Sequence, residues 1–386
     1  MEKDKKVLVL SYEYPPLGGG GAKVVAGLTR EMIKSGYTFD VVTMGYRGLP
    51  RREARAGITI YRVPCIRINK SMCYFPEMIP YLLMAFPLAL QLAKKNNYTI
   101  NHTHFIFPDG VLSCLVKLFT KLPFVVTAHG SDVPGYNPDR FKLLHKLLLP
   151  FWKYVTNHTD KIICPSATIE KLIRRSNPKA KTQVIPNGID VTRFDPNRIK
   201  DRKALSVTRL FERKGVQYFL RAHHELKPVF EVNVAGDGIY FEALKKLVAE
   251  KQIKANLLGF IDNQSPKLKE LYETSSIFVF PSEAENFPIC LLEAMVAGLA
   301  IITTKNTGCA EVVGDAGLLV EAKNVADIKS AYKRLVEDET LRKELGKNAR
   351  NRVEKLFSWD RVRNEISKIY EKTERKSAQE IHHADL

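Results

Sequence analysis

The sequence is poor in cysteine, and its cysteines are not spaced as pairs. Disulfide scaffolds and zinc sites need closely spaced cysteines, often as C-x-x-C. None of the six is arranged in this way, and several lie in apolar runs such as KIICPS and FPICLLEAM. We therefore expect free thiols, most of them buried. Their positions are 65, 73, 114, 164, 290 and 309.

The sequence also lacks an uninterrupted apolar run that could cross a bilayer. Such a helix needs roughly 18 or more apolar residues. The longest candidate, MIPYLLMAFPLALQLA at residues 78–93, contains Pro80 and Pro87. The chain enters a strand-like run at Lys5 without a leader pattern. These features predict a cytoplasmic protein.

Acidic residues are scarce in the first half of the chain. Residues 1–200 contain 30 Lys and Arg against 14 Asp and Glu, whereas residues 201–386 contain 30 against 28. This asymmetry favours an anionic partner for the first half, which could be a membrane surface, a nucleic acid or a phosphorylated ligand. A solvated lysine-rich surface is the alternative explanation.

Short β-branched runs alternate with helical patterns along the chain. Connections long enough for crossover helices predict parallel sheets with helices on both faces. A chain of 386 residues exceeds one core. We therefore expect an α/β fold of two Rossmann-like, doubly wound domains that face a central cleft, residues 1–195 and 196–365. Ligands should bind at the carboxyl ends of the strands.

A run of four glycines, in YEYPPLGGGGAKVV, follows the first predicted strand. A dinucleotide fingerprint beginning at Gly18 or Gly19 would require its third glycine at Lys23 or Val24, and no GK[ST] follows for a P-loop. The glycines could instead bring backbone N–H groups to an anion, helped by a helix starting near Ala22. A purely structural turn is the alternative.

Two glutamates stand out in FVFPSEAENFPICLLEAMVAG. Glu293 lies in an apolar helix that should begin near Pro288 and end at Gly298, so its carboxylate needs either ligand hydroxyls or a nearby backbone group as partner. Glu285 lies at the carboxyl end of the preceding strand, where α/β folds bind ligands. Glu283, in the same loop, is a weaker candidate.

A basic pair follows the first strand of the second half, in SVTRLFERKG. Arg209 and Lys214 could clamp a diphosphate without a metal ion, the arginine through bidentate bonds and the lysine as a point charge. Arg213 competes for this role.

Histidines end two strands of the first half. His129 precedes Asp132, whose carboxylate could orient either the loop or a substrate hydroxyl. His102 and His104 alternate along another strand without a third ligand, so we predict no metal site there.

Taken in order, these motifs resemble the retaining GT-B glycosyltransferases, the large family that includes sucrose and glycogen synthases. Glu285 and Glu293 match the E-x7-E signature of that family, and Arg209 and Lys214 match its R-x4-K. The resemblance covers nearly the whole chain. It rests also on PPLGGGGAKVV, HFIFPDG, VVTAHGSD, VIPNGID, VAGDG and LLGFI.

The resemblance implies a nucleotide diphosphate sugar as donor, no other cofactor and no metal. It implies that Glu285, His129, Arg209 and Lys214 are catalytic, and that His129 and Asp132 lie on the acceptor side. Glu293 would bind the donor ribose and Glu285 the transferred sugar. The implied donor site consists of Gly20, Gly21, Arg209, Lys214, Phe260, Glu285, Asn286, Phe287, Pro288, Ile289 and Glu293.

Two positions depart from the family pattern. The common E-G-F-G is Glu285-Asn286-Phe287-Pro288 here, and Thr208 replaces the glycine before the motif arginine. Asparagine tolerates left-handed backbone angles, whereas proline removes one N–H donor. The donor sugar, UDP- or GDP-linked, therefore stays open. The resemblance also implies that a C-terminal helix, about residues 366–386, packs with the first domain.

The acceptor implied by the resemblance is a glycan or a lipid-linked molecule. The basic amphipathic segment at residues 141–155 (FKLLHKLLLPFWKYV) is typical either of a membrane-interface helix or of an ordinary packed one. We expect peripheral docking on the inner face of an anionic membrane.

A nicotinamide-dependent oxidoreductase is disfavoured by the failed fingerprint, a solute-binding protein by the missing secretion signal, and nucleic-acid binding by the absence of a reader motif.

Overall fold

The computed structural model describes residues 5–70, 72–136, 138–227 and 229–384, with the side chains of 138–145 and 381–384 left undescribed. The chain forms two compact units. The first extends to Gly188 and resumes at Trp359, and the second is Ile189–Ser358. The expected boundaries, 195 and about 366, thus differ from the observed ones by several residues.

The first unit is built on an eight-stranded sheet of order β3-β4-β2-β1-β5-β6-β7-β8, in which only the β3–β4 pair is antiparallel. Strand order reverses beside β1, which lies between β2 and β5 and makes this the switch point of the sheet. The strands are β1 (Lys5–Leu10), β2 (Tyr37–Met44), β3 (Arg52–Arg55), β4 (Ile58–Val63), β5 (Ile100–His104), β6 (Phe124–Thr127), β7 (Lys161–Cys164) and β8 (Thr182–Val184).

Helices cover both faces of this sheet, so its central strands β1, β2, β5 and β6 are buried almost throughout. One core lies beneath α1 and the last helix, α13, and another beneath α2 and α3. In chain order the helices are α1 (Gly20–Ile33), α2 (Phe75–Lys95), α3 (Asp109–Thr120), α4 (Pro138–His158), α5 (Ala167–Ser176) and α13 (Trp359–Ala384).

Trp359 explains why the chain rejoins the first unit earlier than expected. A Cβ built on either Gly27 or Gly188 would collide with its indole ring. The ring therefore packs directly on the backbone of both glycines, at the first residue of α13. From there Val362, Ile366, Ile369 and Tyr370 continue the same core.

Helix α2 contradicts the expectation that prolines interrupt the apolar segment 78–93. The helix continues through Pro80 and Pro87, because a stripe formed by Tyr81, Ala85 and Ala89 is fully buried and holds it against the sheet. Within the described residues, α2 alone is long and apolar enough to cross a membrane, by length and composition, and 28% of that window is buried.

The second unit is a six-stranded parallel sheet of order β11-β10-β9-β12-β13-β14. Its switch point lies at β9, which pairs with both β10 and β12. The strands are β9 (Lys203–Val207), β10 (Glu231–Ala235), β11 (Asn256–Leu257), β12 (Ile277–Phe280), β13 (Ala300–Thr304) and β14 (Gly317–Val320).

Two apolar cores lie on the two faces of this second sheet, one under α9 and α12 and the other under α6 and α11. The helices are α6 (Val216–Leu226), α7 (Phe241–Glu250), α8 (Pro266–Thr274), α9 (Ile289–Val296), α10 (Gly308–Val313), α11 (Val325–Glu337) and α12 (Glu339–Phe357). A short 3-10 helix, Glu212–Lys214, precedes α6. All six cysteines of the protein are unpaired, and three of them are buried.

Candidate active site

A buried ion pair occupies the switch point of the second unit. Lys214 follows β9, Glu285 follows β12, and the ammonium group of the lysine contacts the carboxylate of the glutamate. Their side chains are only 9% and 12% exposed. The Ser282 hydroxyl donates to the same carboxylate at 2.8 Å. The structure thus brings together Lys214 from the predicted basic pair and Glu285 from the predicted pair of glutamates.

The neighbouring candidates in these loops have other partners. Glu283 pairs with Lys323 at 3.0 Å, and that lysine side chain is 61% exposed. The backbone carbonyl of Arg213 accepts from the Glu283 N–H at 2.8 Å. Glu283 and the Arg213 carbonyl therefore join the two loops, and Glu285 with Lys214 forms the enclosed pair.

Arg209 extends from the loop after β9 and is exposed, with its guanidinium 5.5 Å from the centroid of the Phe211 ring. Gly215, at φ +74°, permits the turn into α6, because a Cβ there would collide with the Pro281 carbonyl. The loops after β9 and β12 therefore touch at the backbone. Arg209 is left free to move toward an anion.

The segment Asn286-Phe287-Pro288 leads into α9. Pro288 is the N-cap rather than a first-turn residue, so the helix begins at Ile289. The Phe287 ring is buried against Phe357, 5.3 Å between centroids. The first-turn N–H groups of a helix have no intrahelical acceptor, so those of Ile289 and Cys290 are available to a ligand oxygen.

Glu293 lies within α9, and its side chain is 4% exposed. It accepts from Arg193 Nη1 at 2.7 Å and from the Tyr272 hydroxyl at 3.0 Å. Burial, followed by the charge of Glu293, raises the pKa of Tyr272 well above its usual value. The partner that the buried carboxylate required is therefore a guanidinium. Sequence reasoning missed Arg193, because it lies one hundred positions away in a loop.

Phe260 follows β11 at the same carboxyl edge of the second sheet, and its side chain is 75% exposed. An aromatic ring left this open offers a flat apolar face to a ligand.

The glycine loop of the first unit is tied down by Glu13, which sequence reasoning did not identify. Glu13 Oε2 accepts from the Gly19 N–H at 3.3 Å, and the Gly18 N–H donates to the Lys70 carbonyl at 2.7 Å. Gly18 has φ +92°. Helix α1 begins at Gly20, two residues before the expected start.

Gly20 and Gly21 meet very different surroundings. A Cβ on Gly20 would have no atom within 4 Å, whereas one on Gly21 would lie 2.8 Å from Phe105 Cζ and 3.4 Å from His129 Nδ1. Gly20 therefore leaves open space, and Gly21 allows two aromatic side chains to pack on the helix start.

Alanine substitutions are expected to separate these two roles. Gly21→Ala should lower the free energy of unfolding by about 1–3 kcal/mol through overpacking, and Gly20→Ala by less than about 0.5 kcal/mol. Urea titrations of the two variants measure this difference. Gly20→Val should fold normally and lose transfer activity. Full activity of Gly20→Val would show that the open space serves no substrate.

Asp132 has its oxygens occupied by the backbone. They accept from the N–H groups of Ile106 at 2.7 Å, His129 at 3.0 Å and Gly130 at 2.9 Å. Of the two roles considered for Asp132, the structure shows the loop-orienting one.

His129, which follows β6, forms a cluster with His102 and His104 of β5. His129 Nε2 lies 3.1 Å from His104 Nδ1, and the His104 ring stacks on His102 at 4.4 Å between centroids. His102 is bonded to Thr127 and Tyr370, while His104 Nε2 is buried without a partner in the described residues. Burial lowers the pKa of His102 and His129 to about 3.

This cluster should make the protein sensitive to acid. At His102 and His129 the unfolded chain binds protons below about pH 6.5, whereas the folded chain binds them only near pH 3, so stability falls as the pH drops through this window. In His102→Asn the slope of unfolding free energy between about pH 6 and pH 4 should decrease by about 1.4 kcal/mol per pH unit. Equal slopes in urea titrations would contradict this.

Among the described residues, no group of three or more His, Cys, Asp or Glu side chains is arranged to hold a metal ion.

Comparison with known proteins gives consistent matches over both units. A family model described as Glycosyltransferase Family 4 matches residues 18–193, and another, Glycosyl transferases group 1, matches residues 190–352. An uncharacterised glycosyltransferase of Methanocaldococcus jannaschii is 28% identical, with 95% of this chain and 97% of that protein covered.

Two solved structures share the architecture. Sucrose-phosphate synthase from Thermosynechococcus elongatus superposes with a TM-score of 0.81 at 21% identity, covering 95% of this chain and 98% of the other. Anabaena HepE, in complex with UDP and glucose, superposes with a TM-score of 0.73 at 15% identity, covering 95% and 100%.

Proposed function

The chain belongs to the GT-B glycosyltransferases, and from that premise we propose that it transfers a hexosyl unit from a UDP- or GDP-linked sugar to a glycan or lipid-linked acceptor. One observation carries the proposal. The buried pair Lys214–Glu285 lies at the switch point of the second sheet, with exposed Arg209 in the same loop as Lys214 and the first turn of α9 shortly after Glu285 along the chain. This is the position at which doubly wound sheets bind nucleotides.

In the proposed reaction the bond between the anomeric carbon and the diphosphate oxygen breaks, and a bond to an acceptor hydroxyl oxygen forms on the same face of the sugar. The departing phosphate oxygen takes the acceptor proton, so configuration is retained. Arg209 and Lys214 stabilise the negative charge on the diphosphate, which replaces the help of a metal ion. Glu285 holds the transferred sugar once Lys214 turns to the phosphate.

The remaining residues bind the two substrates. Backbone N–H groups of Ile289 and Cys290 receive donor oxygens, and Phe260 stacks on the nucleobase. Glu293, paired with Arg193, accepts from the ribose hydroxyls. His129, neutral at pH 7, hydrogen-bonds the acceptor, and Gly20 leaves room for it.

A panel of UDP- and GDP-sugars tests this proposal. We expect one donor to raise the melting temperature and to release its nucleotide on transfer, with EDTA present. Glu285→Ala should abolish transfer, whereas Glu283→Ala should preserve it. If no donor stabilises the protein and Glu285→Ala remains active, the proposed mechanism is wrong.

The same proposal includes peripheral binding to an anionic membrane on the cytoplasmic side. Of the amphipathic segment 141–155, Trp152 is 3% exposed and donates to the Asp132 carbonyl, so it belongs to the core and not to a membrane face. The side chains of Phe141, Lys142 and Leu144 lie outside the described part. Phe151 is 59% exposed.

Exposed apolar side chains on α2 and α3 also support the docking proposal. Leu83 and Phe119 are 70% and 56% exposed, and the Phe86 and Phe119 rings join the two helices at 6.1 Å. Basic residues lie in the last turns of α2 and α3, where they could pair with anionic lipid headgroups.

Co-sedimentation with phosphatidylglycerol vesicles tests the docking proposal. Leu83→Glu should weaken binding, whereas Ile199→Glu, at a residue 85% exposed in the second unit, should not. Absence of binding by the wild type would refute it.

A further inference from the structure

A second basic site lies in the first unit, at the carboxyl ends of β2 and β4. It is a cavity of about 370 Å³, within the range of small-ligand sites. Four arginines line it, and no carboxylate is among its lining residues. The arginines are Arg47, Arg51, Arg62 and Arg67. We call it the arginine pocket.

Two of these arginines are built into the protein. Arg62 is buried and donates to Glu53 at 2.8 Å and to the Pro50 carbonyl at 3.1 Å. Arg67 is buried too and donates to the Asn69 carbonyl at 2.9 Å. These bonds hold the pocket walls in place.

The other two arginines are available to a ligand. Arg47 and Arg51 are exposed, and their guanidinium groups make no hydrogen bond or ion pair with any residue that the structure describes. Arg62 and Arg67 are paired with the carboxylates of Glu53 and Glu13, whereas no described carboxylate pairs with Arg47 or Arg51, so these two leave the pocket with an excess of positive charge. Such an arrangement suits an anion that can accept bidentate bonds.

The arginine pocket is connected to the glycine loop through one side chain. Arg67 Nη2 lies 3.4 Å from Glu13 Oε1, and the other oxygen of Glu13 accepts from the Gly19 N–H. The strands that lead into both features are neighbours in the order β4-β2-β1, so their carboxyl ends share one edge of the sheet. A molecule reaching the open space at Gly20 could extend into the pocket.

We propose that the arginine pocket binds a phosphate group carried by the acceptor substrate. Phosphate presents several oxygens to the fork of a guanidinium, and Arg47 and Arg51 would close on it from the solvent side. Tyr46 and Cys65, also in the lining, give the rest of the acceptor an apolar wall. This inference rests on the proposed function, since it names the chemistry of the acceptor for that reaction.

The test uses the full chain, saturated with whichever of UDP or GDP binds, so that the donor site is occupied. Inorganic phosphate is titrated calorimetrically into the wild type and into Arg47→Ala/Arg51→Ala. We expect the double variant to bind phosphate at least about tenfold more weakly, because charge-assisted hydrogen bonds are lost. Arg47→Lys/Arg51→Lys should lie between the two, since it keeps charge without the fork. Arg174→Ala/Arg175→Ala on α5, with the same loss of charge in the same unit, should bind like the wild type.

A vesicle arm distinguishes the source of the phosphate. The double variant and the wild type are sedimented with phosphatidylcholine vesicles that contain or lack phosphatidic acid. Reduced binding of the double variant to the acidic vesicles assigns the phosphate to a lipid headgroup. Unchanged vesicle binding, together with weakened binding of inorganic phosphate, assigns it to a soluble acceptor.

Hydrolysis of the donor sugar by water separates this inference from the proposed function. Arg47→Ala/Arg51→Ala should hydrolyse donor as the wild type does. If the double variant and the wild type bind phosphate equally well and donor hydrolysis is intact, only the proposal that the arginine pocket binds phosphate is wrong. If no protein, including the wild type, binds the nucleotide or hydrolyses the donor sugar, the proposed function is wrong.

Discussion

Replacement of Lys214 by alanine is expected to reduce kcat/KM for sugar transfer by about 10²–10³-fold, the effect of removing one preorganised electrostatic group from a transition state. The lysine side chain is 9% exposed and its ammonium contacts Glu285. Its charge therefore lies in a partly dry site where, in the proposed mechanism, it would stabilise the departing diphosphate more than water could. Steady-state kinetics with the donor found in the panel measure the loss.

Lys323→Ala provides the matched control, because it removes a lysine whose ion-pair partner, Glu283, lies in the same loop as Glu285. The Lys323 side chain is 61% exposed, so the loss of its pair with Glu283 should change activity by less than about twofold. Equal effects of Lys214→Ala and Lys323→Ala on kcat/KM would mean that the buried pair only shapes the loop.

Replacement of Glu293 by alanine is expected to lower the free energy of unfolding by about 3 kcal/mol or more. The change leaves the Arg193 guanidinium without its counter-charge and the Tyr272 hydroxyl without an acceptor. Glu293→Gln should cost less, because the amide oxygen can still accept from Tyr272. Urea unfolding of the variants gives these values.

Glu270→Ala on α8 is the control for this second prediction. Its carboxylate is 63% exposed and lies 3.9 Å from Arg198, so the loss should be below about 1 kcal/mol. A Glu293→Ala protein as stable as the wild type would show that the Arg193 contact contributes nothing to the folded state. Glu293 would then serve only to bind the ligand.

The sequence pattern predicts most of the buried architecture because burial and secondary structure coincide there. The strands β1, β9 and β12 are short, mostly apolar runs, and the loops after them carry the candidate site residues. The proximity of Lys214 to Glu285 follows from strand order. Parallel strands that flank a switch point place the residues after them at one edge.

Other features depend on tertiary contacts that no local pattern reports. Strand β3 is a mostly exposed, arginine-containing edge strand, formed by pairing with β4 and not by burial. Helix α2 passes through its prolines because its buried stripe holds it. The contact of Arg193 with Glu293 joins a loop to a distant helix. In the sequence, nothing distinguishes Glu13, which bonds the glycine loop, from an ordinary loop glutamate.

In the proposed function, the second unit holds the donor diphosphate through Arg209 and Lys214 without a metal ion. Isothermal titration calorimetry of the nucleotide diphosphate sugar in EDTA tests this most directly. We expect the wild type to bind equally well with and without EDTA, and Lys214→Ala to bind at least about tenfold more weakly. Binding that disappears in EDTA, or that Lys214→Ala leaves unchanged, would contradict it.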